Sequence, residues 1–414
     1  MSEVKVKKTY GNPIGITQQF RFCGNPLRID MYKDCGFQCN YCFAKTIVGR
    51  SMSINCADIE KVRRLFYRAF ETNEETNNLV VELLRRKTPL HCGGLSDPFQ
   101  PIEFHLHLTY ELIKLSNKYE VPISFSTKQC YLPQEYWEIL NPKLHAFQVS
   151  LIGIDAEWLK KYEPNTPPPQ ERLRFMKELH EKGFWVGMRI QPLIDLDQAT
   201  KVAIEAENYV NYITIEHLKV ATNNTYQMQL FNVNSKTLGY YHPKSSRHFV
   251  VRRDIKEANI KSIMSKITKC KIGVGDNDLH HLSQSRCCCG IDTIQGGKFN
   301  NYLKYNLTYF ATSDNMSVEE KDNLYVPKLS CSGCFNEHCV IKGITKVKDY
   351  TDKYCVDNID LLKHEPELYA FYQKYFIDFN NWKRFSKKQE VKDQLSLFDS
   401  WDESAEEYED TNTN

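Results

Sequence analysis

The sequence contains no long hydrophobic run and almost no net charge, and each absence excludes a class of protein. Nowhere do about 18 apolar residues follow one another, so a membrane-spanning helix is not expected. The opening stretch M-S-E-V-K-V-K-K lacks the apolar core of a secretory signal, which makes a cytoplasmic protein the expectation. A formal charge of +2 leaves no overall basic surface, so any contact with nucleic acid must be local.

The size and cysteine content of the chain set the remaining bounds. With 414 residues and 41% hydrophobic content, it can form one large domain of barrel size and a smaller appendage. It contains 15 cysteines, and in a reducing compartment this number indicates metal ligation rather than disulfide crosslinks. Nine of them fall into two groups, which we treat as candidate metal sites.

The first group lies in the stretch D-C-G-F-Q-C-N-Y-C-F-A, from Asp34 to Ala44. Its cysteines, Cys35, Cys39 and Cys42, have the spacing C-x₃-C-x₂-C. Their thiolates can hold one inorganic cluster, but they supply three of the four ligands that a closed cluster or a structural zinc site needs. Three cysteines so close together pair poorly as disulfides, and a zinc site needs a fourth ligand nearby. The spacing therefore favours a cluster with one metal corner left open.

Short apolar segments alternate with longer amphipathic segments from residue 27 onward. The predicted strands are Leu27–Tyr32, Pro89–Cys92, Pro122–Ser126, Ala146–Leu151, Phe184–Ile190 and Tyr212–Leu218. The predicted helices are Ala57–Arg86, Ile102–Tyr119, Pro133–Leu140, Pro168–Lys182 and Asp197–Tyr209. Six strand–helix repeats predict an α/β fold with parallel strands, specifically a partial (β/α)₆ TIM-like barrel.

Four regions are expected along the chain. An entry segment at residues 1–26 precedes the partial barrel at 27–220, and a cysteine-rich C-terminal extension follows at 221–385. Residues 386–414 are polar and acidic, which predicts a disordered tail.

Polar residues follow several predicted strands, where the sites of such barrels lie. The candidates are Ser126, Lys128, Ser150, Arg189, Gln191, Glu216 and His217. Each could instead be a surface, capping or buried paired residue, but their common place at one rim favours a site. The later G-D-N-D turn is expected to bring Asp276 or His280 toward the same rim.

The first cysteine group can now be compared with a known family. Its spacing, with Tyr41 before the last cysteine and Phe43 after it, resembles the signature of the radical S-adenosylmethionine (SAM) superfamily. The resemblance implies a [4Fe–4S] cluster whose open iron binds SAM. One electron then releases methionine and a 5′-deoxyadenosyl radical, which abstracts hydrogen from a substrate.

Within this superfamily, residues 27 to about 195 resemble spore photoproduct lyase and related DNA repair photolyase-like proteins. The similar segments are S-D-P-F-Q-P-I-E (Ser96 to Glu103), F-Q-V-S-L-I, Y-E-P-N-T (Tyr162 to Thr166), E-R-L (Glu171 to Leu173) and V-G-M-R-I-Q-P-L-I (Val186 to Ile194). By position, the resemblance implies that Lys128 and Ser150 contact SAM, with Arg172 as a further candidate. It also implies DNA as the substrate and repair of a damaged base by hydrogen abstraction.

Cys92 lies near the place where the resemblance puts a cysteine that returns a hydrogen atom to the product radical. Here it stands five residues before Asp97, a longer gap than the resemblance leads us to expect, so the loop has been remodelled. The hypothesis is that Cys92 is the hydrogen donor. The alternative is a small buried hydrophobic residue at the end of a strand.

The second cysteine group combines a run of three adjacent cysteines, Cys287–Cys289, with a later C-x₂-C-x₄-C set. Adjacent cysteines cannot readily all bind one metal, so one or two of the run are expected to be ligands. The candidate ligands are Cys288, Cys289, Cys331, Cys334 and Cys339. Together they form the closed set of a structural zinc or an auxiliary iron–sulfur cluster, and thiolate chemistry alone does not choose between them.

The pentapeptide Q-L-S-L-F, Gln394–Phe398, lies inside the tail. It resembles the peptide by which bacterial replication and repair proteins dock on the DNA sliding clamp. An extended segment on a flexible tether can place its apolar side chains in a groove. The alternative is that these residues fold back as a C-terminal anchor.

Three functions from different classes follow. The first is a radical SAM enzyme that repairs DNA, with a [4Fe–4S] cluster, SAM, a second cluster or zinc, an electron donor and no membrane contact. The second is a SAM enzyme with an auxiliary cluster that modifies a peptide or RNA. The third is a non-catalytic DNA- or clamp-binding module in which both cysteine groups hold structural metal.

Overall fold

The computed structural model describes most of the chain up to residue 299. The described residues are 6–8, 13–16, 25–44, 54–73, 76, 78–234, 239–243, 247–276, 279, 282–285, 287–296 and 298–299. Three predicted metal ligands, Cys331, Cys334 and Cys339, lie outside them, as do His280 and the tail peptide Gln394–Phe398.

The described residues form thirteen strands. They are β1 (Val6–Lys8), β2 (Ile14–Ile16), β3 (Leu27–Ile29), β4 (Ile54–Cys56), β5 (Leu90–Cys92), β6 (Ile123–Thr127), β7 (His145–Ser150), β8 (Trp185–Leu193), β9 (Tyr212–His217), β10 (Lys219–Ala221), β11 (Tyr240–Tyr241), β12 (His248–Val251) and β13 (Lys271–Val274). Strands β1 and β4 pair with each other, and β10, β12 and β11 form a small antiparallel sheet.

Eight strands form the main sheet, in the order β13-β9-β8-β7-β6-β5-β3-β2. All neighbours are parallel except the edge pair β2 and β3. The six central strands from β3 to β9 correspond to the six predicted strands and follow their chain order. The predicted α/β class, an open, mostly parallel sheet like a partial barrel, is therefore confirmed.

The two edge strands are not among the predicted ones. β2 comes from the predicted entry segment, and β13 comes from the predicted extension, so the sheet draws on chain outside residues 27–220. β13 has four residues and is followed directly by Gly275 and Asp276. Because these two residues indicate a turn, the sequence pattern does not predict so short a strand before them.

Ten helices lie among the described residues, and none has the length and apolar character that crossing a membrane requires. They are α1 (Ile59–Phe70), α2 (Leu79–Arg85), α3 (Glu103–Leu106), α4 (Leu108–Tyr119), α5 (Gln134–Ile139), α6 (Ala156–Tyr162), α7 (Pro169–Glu181), α8 (Leu196–Ala206), α9 (Thr225–Leu230) and α10 (Arg253–Met264). α6 is not among the predicted helices; Asp155 caps it by accepting a hydrogen bond from Trp158 N.

Two predicted helices are each divided in two. The first becomes α1 and α2, and Asn78 caps α2 by accepting from the amides of Val80 and Val81. The second divides at His107, whose φ of 55° is left-handed. A buried carboxylate accounts for this division, since Glu103 accepts from the first amides of α4 and from two tyrosine hydroxyls.

The two faces of the central sheet differ in chemistry, because side chains alternate along each strand. In β6, Phe125 packs beside Phe147 of β7, with ring centroids 5.5 Å apart, and Phe147 reaches Phe175 of α7. We call this side the helix-covered face. Ser126 and Gln148 pair in register and point to the other side, which we call the polar face.

His145 begins β7, and we expect it to make the free energy of unfolding depend on pH. It has no exposed surface, its Nδ1 accepts from Asn141 N at 2.8 Å, and its Nε2 donates to Ser116 Oγ at 3.0 Å. Burial lowers its pKa to about 3, because a proton on Nδ1 would carry charge into the core. In the unfolded chain the pKa is about 6.5, so the unfolded state takes up the proton first as pH falls.

We expect His145 to reduce the free energy of unfolding by about 2 kcal/mol between pH 7 and pH 5. Urea unfolding at both pH values measures this change. A His145→Gln variant is less stable at either pH but has a weaker pH dependence. Exposed His180 is the matched control, and His180→Gln should keep the pH dependence of the unaltered protein. An equal pH dependence in both variants would contradict the assignment.

Candidate active site at the carboxyl end of the sheet

The three cysteines of the first group lie on one loop after β3, which we call the Cys loop (residues 34–44). Cys39 is buried, Cys35 and Cys42 are partly exposed, and all three are free thiols. A turn brings them together, since Cys42 N donates to Cys39 O at 3.2 Å. The Cys loop follows the carboxyl end of β3, which is where the site is predicted.

Neighbouring loops hold the Cys loop in place. Gln100 Oε1 accepts from Gly36 N at 2.7 Å, and its Nε2 donates to Asp34 O at 2.8 Å. Asn40 N donates to Tyr162 O at 2.7 Å. Gln100 and Tyr162 belong to the two motif segments S-D-P-F-Q-P-I-E and Y-E-P-N-T. These segments thus fix the conformation of the Cys loop.

Asp97 joins the same motif segment to the end of β6. Its carboxylate is buried and accepts from Thr127 Oγ1 at 2.8 Å and from Lys128 N at 2.6 Å. Gly93 allows the close approach between these loops. Its φ is +102°, and a Cβ there would lie 2.4 Å from Ser126 O, which explains the glycine after Cys92.

The thiols of the Cys loop fit an iron–sulfur cluster. Burial, followed by the charge of Asp97, raises the pKa of Cys35 to about 11. Burial also raises the pKa of Cys39, and charge on Cys35 or Cys42 adds to this effect while Lys128 opposes it. A bound metal would displace the protons of these thiols.

The placement of possible ligand side chains bears on the type of metal that the Cys loop could hold. Within the described ranges, no three His, Cys, Asp or Glu side chains are placed to hold a single metal ion. A four-iron cluster binds each thiolate at a different iron, so its ligands stand farther apart than those of one ion. The three free thiols of the Cys loop can each bind a different iron of such a cluster.

A buried carboxylate, Glu163, lies under the Cys loop. It accepts a hydrogen bond from the Tyr41 hydroxyl, and its Oε2 lies 2.7 Å from Arg172 Nη1 and 3.2 Å from Thr166 Oγ1. Burial favours its neutral form, but attraction to Arg172 and Lys128 lowers the pKa of Glu163. In the sequence this residue is marked only as part of the segment Y-E-P-N-T, so its role as an anchor for Tyr41 emerges from tertiary contacts.

Lys128 stands beside the Cys loop, as expected from its place after β6. Its Nζ lies 4.0 Å from Glu163 Oε1 and 5.7 Å from the centroid of the Tyr41 ring. Burial opposes its charge, but attraction to Cys39 and Glu163 raises its pKa. A cation therefore lies beside Tyr41 and Glu163 at the candidate cluster site.

Ser150 and Arg172 occupy one corner of the rim but differ in exposure. Ser150 ends β7 and is 8% exposed, whereas Arg172 has no exposed surface. Arg172 Nη1 donates to Ser150 O at 2.8 Å, and the same guanidinium pairs with Glu163. Arg172 Nη2 also donates to Thr166 Oγ1 at 3.2 Å, so this buried guanidinium acts on the rim through its partners.

Cys92 ends β5 and has no exposed surface. It pairs in register with Phe125, whose ring lies on the helix-covered face. Burial raises its pKa well above the usual range. Its neighbour His91 points to the polar face instead. If Cys92 is the hydrogen donor, the hydrogen atom must pass from the helix-covered face of the sheet to the polar face. The alternative, a small buried hydrophobic residue, fits the placement of Cys92 directly.

A chain of polar side chains crosses the polar face near the rim. Ser126 Oγ lies 2.7 Å from His91 Nε2 and accepts from Arg189 Nη1 at 2.6 Å. Arg189 also donates to Gln191, whose Nε2 donates to Glu216 Oε2 at 2.8 Å. Four of the predicted rim residues are thereby brought into one network, and His91 joins them.

His217 and Asp276 lie apart from this network. His217 Nδ1 is 2.7 Å from Asp276 Oδ2, and Lys256 of α10 lies 3.6 Å from Asp276 Oδ1. All three are buried. Although burial opposes ionisation, the hydrogen bond and charge of His217 lower the pKa of Asp276. The Asp276 carboxylate thus pairs with His217 and Lys256 in a buried cluster and is not turned toward a substrate as the sequence led us to expect.

The described part of the second cysteine group lies at the opposite, amino end of the sheet. Cys287, Ile291 and Phe299 pack against Trp185 and Tyr212, the first residues of β8 and β9. Within the run, Cys287 Sγ lies 3.0 Å from Cys289 Sγ, and the proposed ligand role of Cys288 and Cys289 stays a prediction.

No protein-family model matches the sequence, and no curated protein matches it. Spore photoproduct lyase matches this fold. Its complex with dinucleoside spore photoproduct has a TM-score of 0.48 and 15% identity, covering 63% of this chain and 77% of that chain. The enzyme that the sequence motifs resemble is thus among the solved structures similar to this one.

SuiB from Streptococcus suis, bound to S-adenosylmethionine, is also similar, with a TM-score of 0.43 and 12% identity. The match covers 84% of this chain and 68% of that chain. SuiB and spore photoproduct lyase are both radical SAM enzymes. At such identities a likeness concerns the fold, so the substrate of this protein must be argued from its own residues.

Proposed function

We propose that this protein is a radical SAM enzyme in which Cys35, Cys39 and Cys42 hold a [4Fe–4S] cluster. The observation that carries the proposal is the Cys loop, with three free thiols in the motif spacing at the carboxyl end of β3. When bound, such a cluster supplies one electron to SAM, which is cleaved to methionine and a 5′-deoxyadenosyl radical.

The residues around the loop have separate tasks in this proposal. The Lys128 ammonium, beside Cys39 and Tyr41, favours thiolates and attracts the carboxylate of SAM. Ser150 offers a hydroxyl at the same rim. Glu163 accepts from the hydroxyl of Tyr41, which stands between Cys39 and Cys42 in the sequence, and this contact limits movement of the loop.

We propose a damaged DNA base as the substrate. The resemblance of the motif segments to spore photoproduct lyase supports this class, and Arg189 and His91 on the polar face suit a polar substrate. The electron must come from a donor protein or a reductant. A second metal at Cys288 and Cys289 with the later cysteines stays a prediction.

Docking of Gln394–Phe398 on a sliding clamp also stays a prediction. Mixing the tail peptide with a bacterial sliding clamp tests it. An absence of binding at high micromolar peptide would remove this support for a role in DNA repair.

The proposed function is tested by anaerobic incubation of the metal-loaded protein with SAM and dithionite. Chromatography then measures 5′-deoxyadenosine in the presence of no nucleic acid, undamaged DNA or ultraviolet-irradiated DNA. We expect 5′-deoxyadenosine only with reductant, and loss of lesions only from irradiated DNA. Omission of the reductant is the control.

The outcomes separate the three functional classes. Formation of 5′-deoxyadenosine without any change in damaged DNA retains the radical SAM assignment and removes the DNA substrate, which leaves peptide or RNA modification. Bound zinc, with no iron and no 5′-deoxyadenosine, favours the non-catalytic module and removes the enzyme proposal.

A further inference from the structure

A pair of sulfur atoms lies on the turn that packs against the first residues of β8 and β9. Cys287 Sγ and Cys289 Sγ are 3.0 Å apart. Both are free thiols, and their separation exceeds the length of a disulfide bond by only about 1 Å. Small shifts of two side chains would therefore join them.

The backbone holds the two sulfurs together. The carbonyl of Cys287 accepts from Ser285 Oγ at 2.8 Å, from Gly290 N at 2.9 Å and from the Tyr212 hydroxyl at 3.3 Å. Gly290 has a left-handed φ of +71°, and a Cβ there would lie 2.2 Å from the ring of Tyr212. The turn is thus anchored on β9, and the pair is preorganised by the fold.

The two thiols differ in access. Cys287 is 2% exposed and packs in a small apolar cluster, whereas Cys289 is partly exposed. Cys289 Sγ also accepts a hydrogen bond from Asn25 Nδ2 at 3.4 Å. Thiol–disulfide exchange needs one thiol that a small disulfide can reach and a second within reach of the first. Cys289 is the partly exposed residue of the pair, and Cys287 Sγ lies within reach of its sulfur.

We propose that Cys287 and Cys289 form a redox-active dithiol that exchanges with low-molecular-weight disulfides. The Cys289 thiolate attacks the disulfide, which breaks and releases one thiolate, and a mixed disulfide forms on Cys289. Cys287 then loses its proton, attacks Cys289 Sγ and releases the second thiolate. The two cysteines give up two electrons to the small disulfide, and their two protons pass through solvent to the two released thiolates.

This activity is separate from the proposed SAM chemistry. The dithiol contacts the amino ends of β7–β9 and shares no residue with the Cys loop. Cys288 is the matched control, because it lies between the two thiols and is itself a partly exposed cysteine whose carbonyl accepts from Thr214 Oγ1 at 2.9 Å. A general reactivity of exposed cysteines would involve Cys288 as readily as its neighbours.

The test uses the reduced full-length protein, incubated anaerobically with glutathione disulfide. Free thiols are titrated, intact mass is measured, and alkylated peptides are mapped. We expect the protein to lose two thiols without gaining the mass of glutathione, with the new bond between Cys287 and Cys289. Cys288→Ser should behave in the same way. Cys287→Ser should retain glutathione on Cys289, and Cys289→Ser should leave Cys287 unmodified.

Three outcomes would overturn the proposal. They are glutathione stably retained on Cys289 of the unaltered protein, a disulfide that includes Cys288, and a tightly bound metal that blocks both thiols until it is removed. The last outcome would instead favour a metal at this end of the sheet. Circular dichroism of each serine variant establishes that it is folded, so that a lost reaction reflects a lost thiol.

Discussion

Replacing Cys39 with alanine is expected to abolish iron binding and SAM cleavage together. Cys39 is the middle ligand of the Cys loop, and the charge of Lys128 at the rim favours its thiolate. With two thiolates left, a four-iron cluster has two unligated irons and is not retained. We expect a loss of more than about 100-fold in 5′-deoxyadenosine formation, since even changes behind a ligand cost 10–100-fold.

Iron and sulfide analysis, visible absorption and the anaerobic assay measure this result. The matched control is Cys130→Ala, which removes a partly exposed free thiol from the loop after β6. It should keep both the iron and the activity. Retention of iron and activity in Cys39→Ala would mean that other residues hold the cluster, and the proposed site would be wrong.

Glu163→Gln is expected to destabilise the folded protein by about 3–5 kcal/mol, because it leaves buried cations without their counter-charge. Glu163 and Arg172 have no exposed side-chain surface and lie 2.7 Å apart, and Lys128 lies 4.0 Å away. Glutamine preserves the shape of the side chain but removes the charge. Tyr41 then also loses a charged acceptor for its hydroxyl.

Denaturant unfolding of the apoprotein measures this change without any cofactor. Glu171→Gln is the matched control, since Glu171 pairs with Arg174 on the exposed side of α7. Surface pairs contribute little, so we expect a loss of about 0.5 kcal/mol or less. If Glu163→Gln and Glu171→Gln lose equal stability, the buried pair of Glu163 and Arg172 does not stabilise the rim.

The comparison of sequence and structure is clearest along β5 and β6. Alternation and length predict these strands correctly, because a buried strand needs apolar residues on at least one face. The same reasoning placed Cys92 at the end of β5, but which face receives its side chain depends on strand register. Register is set by tertiary pairing, here of Cys92 with Phe125.

The broken helices show a second kind of limit. An amphipathic pattern continues through His107, so it predicts one helix where the structure has two. The break depends on the buried carboxylate of Glu103, which takes the amides of Thr109 and Tyr110. Its other partners, Tyr32 and Tyr136, are distant in sequence, and no local pattern reports such contacts.

By itself, the sequence determined the α/β class, the six central strands and the Cys loop with its open-corner spacing. These features depend on periodicity and on residues close together in the chain, which a linear reading can detect. Only the tertiary structure decided that Glu163 anchors Tyr41, that Arg172 is enclosed, and that Cys287 approaches Cys289. Those contacts depend on which side chains meet across the sheet. Burial alters the charge and the accessibility of a side chain only after the chain has folded.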